Sequence, residues 1–396
     1  MNKNINFFII SIKKLIIPSI FLLFTIFLVV FSRDNLIAAK NGLKLWASSV
    51  VPSLFPFFIA TELLGFTSIV PFLGKLLNKI MRPLFNVSGE GAFALIMGIV
   101  SGYPTGAKIV SNFRKNKLCT KAECERLLAF TNNSGPLFII GTVGISMFGY
   151  SNIGILLFVT HLLACITVGF IFRFWKYNDK EYVELSSNTN NNDNNKEIKF
   201  SDLGKILSSS ISNATSTILM IGGFVVLFSV IISILNSTYF TLTISNIIKP
   251  FCIFFNLDPS FANSIVSGII ELTNGLSIVT SINSANISTS IVISAFLLGF
   301  GSISVLLQVF SVISDTDISI LPYFLGKILQ AIFGSLYTFL FLHNSMLFNL
   351  DFTPSFLSFG ENVMMVFGVL CFILLLIYIF RNFSSKTNYK KSYIKS

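Results

Sequence analysis

A lysine, a glutamate and two adjacent asparagines stand inside stretches otherwise apolar enough to lie in a bilayer. Lys108 follows the turn-like "SGYPTG" (101–106), Glu271 interrupts "SGIIELTNGLSIV" (267–279), and Asn132 and Asn133 open "TNNSGPLF" (131–138). An ionisable group at membrane depth is costly and marks a site unless it meets a partner or a cavity. Gly102 and Gly106 permit a tight turn, and Pro104 removes a donor and fixes a bend. Thr105 can donate a hydrogen bond. The returning half-helix then aims its positive N-terminal end at whatever occupies the turn, which favours an anion. Lys108 in its first turn either serves that anion or snorkels to the cytoplasmic surface. Glu271 is read as a coupling group, binding a proton or cation or pairing with Lys108; the alternative is a surface acid. Thr273 and Asn274 accompany it.

Asn132, Asn133 and Ser134 crowd donors and acceptors before a Gly-Pro break, which suits either helix capping or a carboxylate ligand. Ser302, Ser304 and Gln308 occupy the matching place in the second half, with Asn132 and Asn133 ranked above Gln308. No nucleophile with its base, no phosphate loop and no metal-ligand cluster is visible, so no catalysis, no metal and no cofactor is expected. The five cysteines are scattered without a CxxC pair. His161 and His343 read as buried, satisfied or interfacial side chains.

These residues need a membrane frame. Hydrophobic residues make up 53% of the chain and charged residues only 11%, against roughly 25% charged in soluble domains. The mean hydropathy is +0.78. The fold class is all-α, a polytopic membrane protein. About eight spans are expected, near 16–32, 45–66, 127–148, 152–174, 206–235, 290–313, 319–342 and 361–380, the first an uncleaved helix and not a signal peptide. Segments 89–110 and 261–282 are apolar but internally broken. If 89–110 crossed, the basic loops on its two sides would lie on opposite faces, against the positive-inside rule. A re-entrant hairpin resolves the conflict, and 261–282 forms a second. Of the 28 basic residues, all but six then face the cytoplasm. Arg33, Lys40, Lys44 and Lys249 fall outside, and Lys108 and Lys327 lie within or beside the membrane. The net charge of +11 therefore reads as cytoplasmic loops and not as a nucleic-acid surface.

The two halves also resemble each other. "RPLF" and "IVSG" ahead of "GAKIV" parallel "KPFC" and "IVSG" ahead of "GLSIV", and "LLAFTNNSG" parallels "ISAFLLGFG". The charge topology puts the first hairpin inside and the second outside, so the repeats are inverted, the build of many secondary transporters. An asparagine tract, "SSNTNNNDNNKE" (186–197), reads as a linker with too little apolar area to fold.

At "SGYPTGAKIV", "TNNSGPLFIIGTVG" and "LWASSVVPSLFPFFI" the chain resembles the YlbJ-type sporulation integral membrane proteins, within the larger group carrying the Gate, or nucleoside-recognition, domain. That resemblance runs from about residue 35 to 345. It implies a multi-pass protein of the outer forespore membrane, made in the mother cell, that moves dipicolinic acid. It also implies a likeness to concentrative nucleoside transporters, with Gly102, Tyr103, Pro104, Thr105, Gly106, Asn132, Asn133 and Ser134 lining the path. The expected organisation is an N-terminal helix and flank (1–42), a first Gate-like repeat (43–175) and a flexible cytoplasmic linker (176–205). A second, inverted repeat (206–343) follows, then a C-terminal helix with a basic tail (344–396). A transporter for a small organic anion, a nucleoside or nucleobase transporter, and a non-transporting scaffold of the spore envelope all remain open. The expected partners are the bilayer, a small anion and, with nothing to fix the number, further copies of the chain.

Overall fold

A backbone in hydrocarbon must satisfy its own N–H and C=O groups, and every regular element of the described residues is helical. The computed structural model describes residues 2–67, 69–177, 202–255, 257–282 and 286–343. The asparagine tract 186–197 and the expected last span 361–380 lie outside them.

Helix α1 (Asn2–Val30) meets α2 (Ser32–Leu45) at a bend of 98°. A π-helical turn, Trp46–Val50, carries α2 into α3 (Val51–Gly65). Next come α4 (Ile69–Phe85), α5 (Gly91–Ser101), α6 (Thr105–Lys115), α7 (Lys121–Thr131), a π-helical segment Leu137–Met147, and α8 (Ser151–Phe172). The order then recurs. A long helix, α9 (Leu203–Ser237), precedes a proline-bearing helix, α10 (Phe240–Phe254), and two short helices, α11 (Phe261–Ile270) and α12 (Leu272–Ser281). A helix in two halves, α13 (Ile287–Phe300) and α14 (Ile303–Ile313), leads to α15 (Leu321–His343).

Among the described residues four helices are long and apolar enough to cross a membrane: Ser151–Phe172, Leu203–Ser237, Ile287–Ile313 and Leu321–His343. The spans expected over 127–148 and 290–313 are each interrupted, the first at the Gly-Pro break read from the sequence. The first is cut over Asn132–Pro136, where proline has no N–H to continue the ladder. The second is cut at Gly301, whose φ of 81° lies in the left-handed region.

Both expected hairpins are present. In the first, α5 and α6 return to one end of the molecule, where Ser88 Oγ and Cys119 Sγ stand 3.0 Å apart. A Cβ on Gly98 or Gly106 would collide with the carbonyl of Thr131 at the end of α7. The hairpin arms and the broken helix therefore touch backbone to backbone. In the second, α11 and α12 close on each other at Gly268 and Gly275 in the same manner.

The hairpins enter from opposite ends. Arg114 and Lys115, at the base of the first, reach the loop after α14, with Arg114 donating to both carboxylate oxygens of Asp317 at 2.7 and 2.8 Å and Lys115 to Asp315 at 3.2 Å. Since α13 and α14 form one span, the start of α13, joined to the base of the second hairpin, lies at the far end. The halves also exchange contacts: α6 packs on α14, while α12 packs on the π-helical segment. Running antiparallel to α9, α2 and α3 form a separate flank, with Gly42 against Ser229, Trp46 against Gly222, and Glu62 bonded by Asn213 at 3.0 Å.

Two outcomes follow from this packing. Gly106→Val should abolish monodisperse protein in detergent, because a backbone carbonyl cannot move aside as a side chain can. Gly223→Ala, where a Cβ would meet open space, should behave as wild type in the same chromatography. The second outcome concerns Asp317, whose carboxyl is held below its ordinary range chiefly by the hydrogen bond from Arg114. A depressed carboxylate stabilises above its ordinary pKa and loses that stabilisation as pH falls through its lowered value. Asp317→Asn should therefore cost about 1 kcal/mol or less near neutrality. The gap from wild type should close in thermal melts taken progressively below the ordinary carboxylate range.

Candidate functional site

The tips of the two hairpins, the breaks in the two split helices and the flank of α2, α3 and α9 surround one open-mouthed cavity of about 90 Å³. Gly102 and Tyr103 come from the first tip, and Glu271, Leu272 and Thr273 from the second. Ser134 and Gly135 come from the first break, and Phe138 and Thr142 from the π-helical segment after it. Ser304, Val305 and Gln308 come from the first turns of α14. Apolar side chains of the flank (Leu45, Val50, Leu54, Ile221, Val225) complete the wall.

Local geometry explains why these residues are at the wall. Gly102 turns the chain with φ 78°, and a side chain there would run into Gly135, so the first tip lies directly on the first break. The hydroxyl of Tyr103 donates to Leu298 O at 3.3 Å, tying that tip to the end of α13. At the second tip Glu271 is extended (φ −142°, ψ 122°) and its carboxylate accepts from Thr273 N at 3.1 Å and Asn274 N at 2.8 Å. It is an N-cap for α12, charge-assisted and favoured by the helix dipole.

The other expected site residues stand behind the wall. Asn132 holds elements together: its Oδ1 accepts from Ala107 N at 3.4 Å, and its Nδ2 donates to Tyr323 OH at 3.2 Å. Ser302 caps α14 by accepting from Val305 N at 3.2 Å. Pro104, Thr105 and Gly106 are packed into the root of α6, and Asn274 contributes its backbone N–H to Glu271. Gln308 lines the cavity, whereas Asn132 and Asn133, ranked above it on sequence, do not.

The pairing of Lys108 with Glu271 is corrected. Lys108 Nζ donates to Glu62 Oε1 at 2.5 Å and to Thr217 at 3.2 Å, while Asn213 donates to the other oxygen of Glu62. Glu62 lies one helix away on α3, whereas Glu271 already serves the N-terminus of its own half-helix. Sequence reading passed over Glu62 because "FIATELLGF" resembles the end of a span. The detectable signal was a lone acid within an apolar run.

Asn133 belongs to a second buried cluster that sequence reading also missed. Its Oδ1 accepts from Gln330 Nε2 at 2.8 Å and from Lys327 Nζ at 3.4 Å, and its Nδ2 donates to Phe130 O at 2.8 Å. Lys327 also donates to Gln330 Oε1 at 2.7 Å, and Gln330 Nε2 meets His161 Nε2 at 3.3 Å. The i, i+3 spacing of Lys327 and Gln330 on one face of α15 was the available signal.

Apolar helices, two hairpins from opposite ends and a cavity at their tips together define an integral membrane protein built around a chamber. Residues 47–174 match the family model described as Gate, nucleoside recognition. The chain is 34% identical over 348 residues to the "Sporulation integral membrane protein YlbJ" of Bacillus subtilis (strain 168), covering 83% of each chain. It belongs to the YlbJ family of sporulation integral membrane proteins. No solved structure matches it.

The Lys108–Glu62 pair ties the first hairpin to the flank. Glu62→Ala should lower stability by about 1.5–3 kcal/mol, the range for hydrogen bonds to charged groups. The reversed pair Glu62→Lys with Lys108→Glu should recover most of it. Melting of the three purified chains checks this, and a reversed pair no better than the single change would show that the ion pair holds nothing.

Proposed function

We propose that the chain carries a small organic anion across the membrane by alternating access between two oppositely oriented repeats. The observation that carries this reading is which ends of the broken elements face the cavity. The helical residues on the wall include the opening turns of α12, α14 and the π-helical segment. The elements preceding the breaks, α5, α7, α11 and α13, supply no helical residue to it. Helix starts carry partial positive charge, and that of the π-helical segment has no side-chain cap. Half-helix N-termini at the meeting point of repeats are how such carriers meet anionic groups.

The charges agree. Glu271 is spent on the N–H groups of α12, and Glu62 is matched by Lys108. The apolar wall of Leu54, Phe138 and Val305 suits a flat ring between its polar ends. Dipicolinate, an aromatic ring with two carboxylates, has this chemistry. The sporulation protein to which the chain is similar, together with the resemblance described above, makes it the cargo we favour, and the outer forespore membrane the location.

A nucleoside is the second reading. The matching family model carries that description, and Thr273 and Gln308 offer donors and acceptors on the wall. A scaffold without transport gives no reason for two hairpin tips to meet at a cavity.

Purified chain in liposomes decides among these. Labelled dipicolinate should enter and be competed by unlabelled dicarboxylate but not by uridine. Entry of uridine alone selects the second reading, and entry of neither leaves the scaffold. Thr273→Val and Gln308→Leu, which keep the fold and remove polar wall groups, should each reduce uptake about tenfold, the order expected for one lost hydrogen bond in a site.

A further inference from the structure

We infer that Lys327 is the cationic group that receives a carboxylate of the transported anion, with Tyr103 as the wall between it and the chamber. This rests on the anion reading above and names the group that would recognise the charge.

Lys327 is among the largest fully buried side chains of the described residues, only 2% exposed. Its hydrogen-bond acceptors, Gln330 Oε1 and Asn133 Oδ1, are uncharged amides. Among the described residues no carboxylate pairs with it; the ion pairs there include Lys108–Glu62, Arg114–Asp317, Lys115–Asp315 and Lys176–Glu125. An ammonium has three donors, and these two contacts leave one over. Its remaining surroundings include the rings of Tyr103 and Tyr323, each with its centroid 5.6 Å from Nζ.

Amide oxygens and aromatic faces attract a cation without neutralising it. A buried cation with no counter-ion is costly, and an arriving carboxylate offsets that cost. The cluster orients the ammonium and leaves its counter-charge to be supplied from elsewhere, so an arriving carboxylate stabilises the charged form. On the same break the hydroxyl of Thr131 is buried with no hydrogen-bond partner among the described residues.

Tyr103 links this cluster to the chamber. Its ring belongs both to the cavity wall and to the surroundings of Nζ. It rides on the tip of the first hairpin, an element joined to the flank by one ion pair and to the loop after α14 by two. Tilting that tip removes the ring from between chamber and ammonium.

The alternative is a lysine that merely fastens α15 to the first break through Asn133, and the probes are chosen to separate the two. Binding of dipicolinate and of its uncharged diamide is measured on purified wild type, Lys327→Met, Lys327→Arg and Tyr103→Ala. Lys327→Met should lose about tenfold or more in affinity for dipicolinate, the worth of one charge-assisted hydrogen bond. The same variant should bind the diamide nearly as wild type does, and Lys327→Arg should keep most of the dipicolinate affinity. Tyr103→Ala, which retains the lysine, should take up dipicolinate several-fold faster. Equal loss of both probes in Lys327→Met, or no loss of either, overturns the role of Lys327. Unchanged association in Tyr103→Ala overturns the wall. If wild type binds the diamide but not dipicolinate, or binds neither, the anion reading itself falls and takes this inference with it.

Discussion

An interrupted backbone inside a bilayer has to find hydrogen bonds from the protein, because lipid offers none. Two hairpin tips and two helix breaks place four such interruptions near the middle of this molecule, and side chains answer them one by one. Glu271 receives the N–H groups at the start of α12, and Ser302 receives one at the start of α14. Asn132 accepts from Ala107 N, and Tyr103 supplies a donor to the carbonyl of Leu298. Each answer also ties one element to the next, so the polar groups that make the breaks tolerable fix the tips around the chamber.

Close approach of backbones makes this geometry affordable in space. The contacts at Gly98, Gly106, Gly268 and Gly275 exclude side chains where hairpin arms cross, so each tip reaches the centre without a bulky residue holding it off. Without a hydrophobic force between helices in lipid, such small-residue contacts are where packing is won. The contact of α6 with α14, mirrored by α12 with the π-helical segment, means that neither half completes its own centre. The chamber is a property of the pair.

Much of this frame was legible in the sequence, because hydropathy, basic loops and glycine-rich interruptions are local signals. The first hairpin announced itself through two basic loops that could not lie on opposite sides, the second through a broken apolar segment, and the break at Asn132–Pro136 through Gly-Pro. The roles of polar residues were not legible to the same degree. A cap and a ligand want the same chemistry, an oxygen or amide beside a helix start, so Asn132, Ser302 and Glu271 looked alike before their partners were known. Partners distant in sequence were invisible for another reason. Lys108 meets Glu62, 46 positions earlier, and Lys327 meets Asn133, 194 positions earlier, and one sequence carries no record of such proximity.

Four ionisable groups at this depth meet the low dielectric in three different ways. Glu271 leans on the start of a helix, and Lys108 and Glu62 lean on each other. Lys327 meets amide oxygens and ring faces, with no carboxylate paired to it among the described residues. The first two arrangements are self-sufficient: each charge already has its compensation within the fold, and a solute entering the chamber changes neither greatly. The third is incomplete as a matter of electrostatics, since amides and rings orient around a cation but leave its field reaching outward. The start of the π-helical segment, which no side chain caps, faces the same space. A neutral solute gains little from these two features and a carboxylate gains from both, which is the physical ground of the anion proposal.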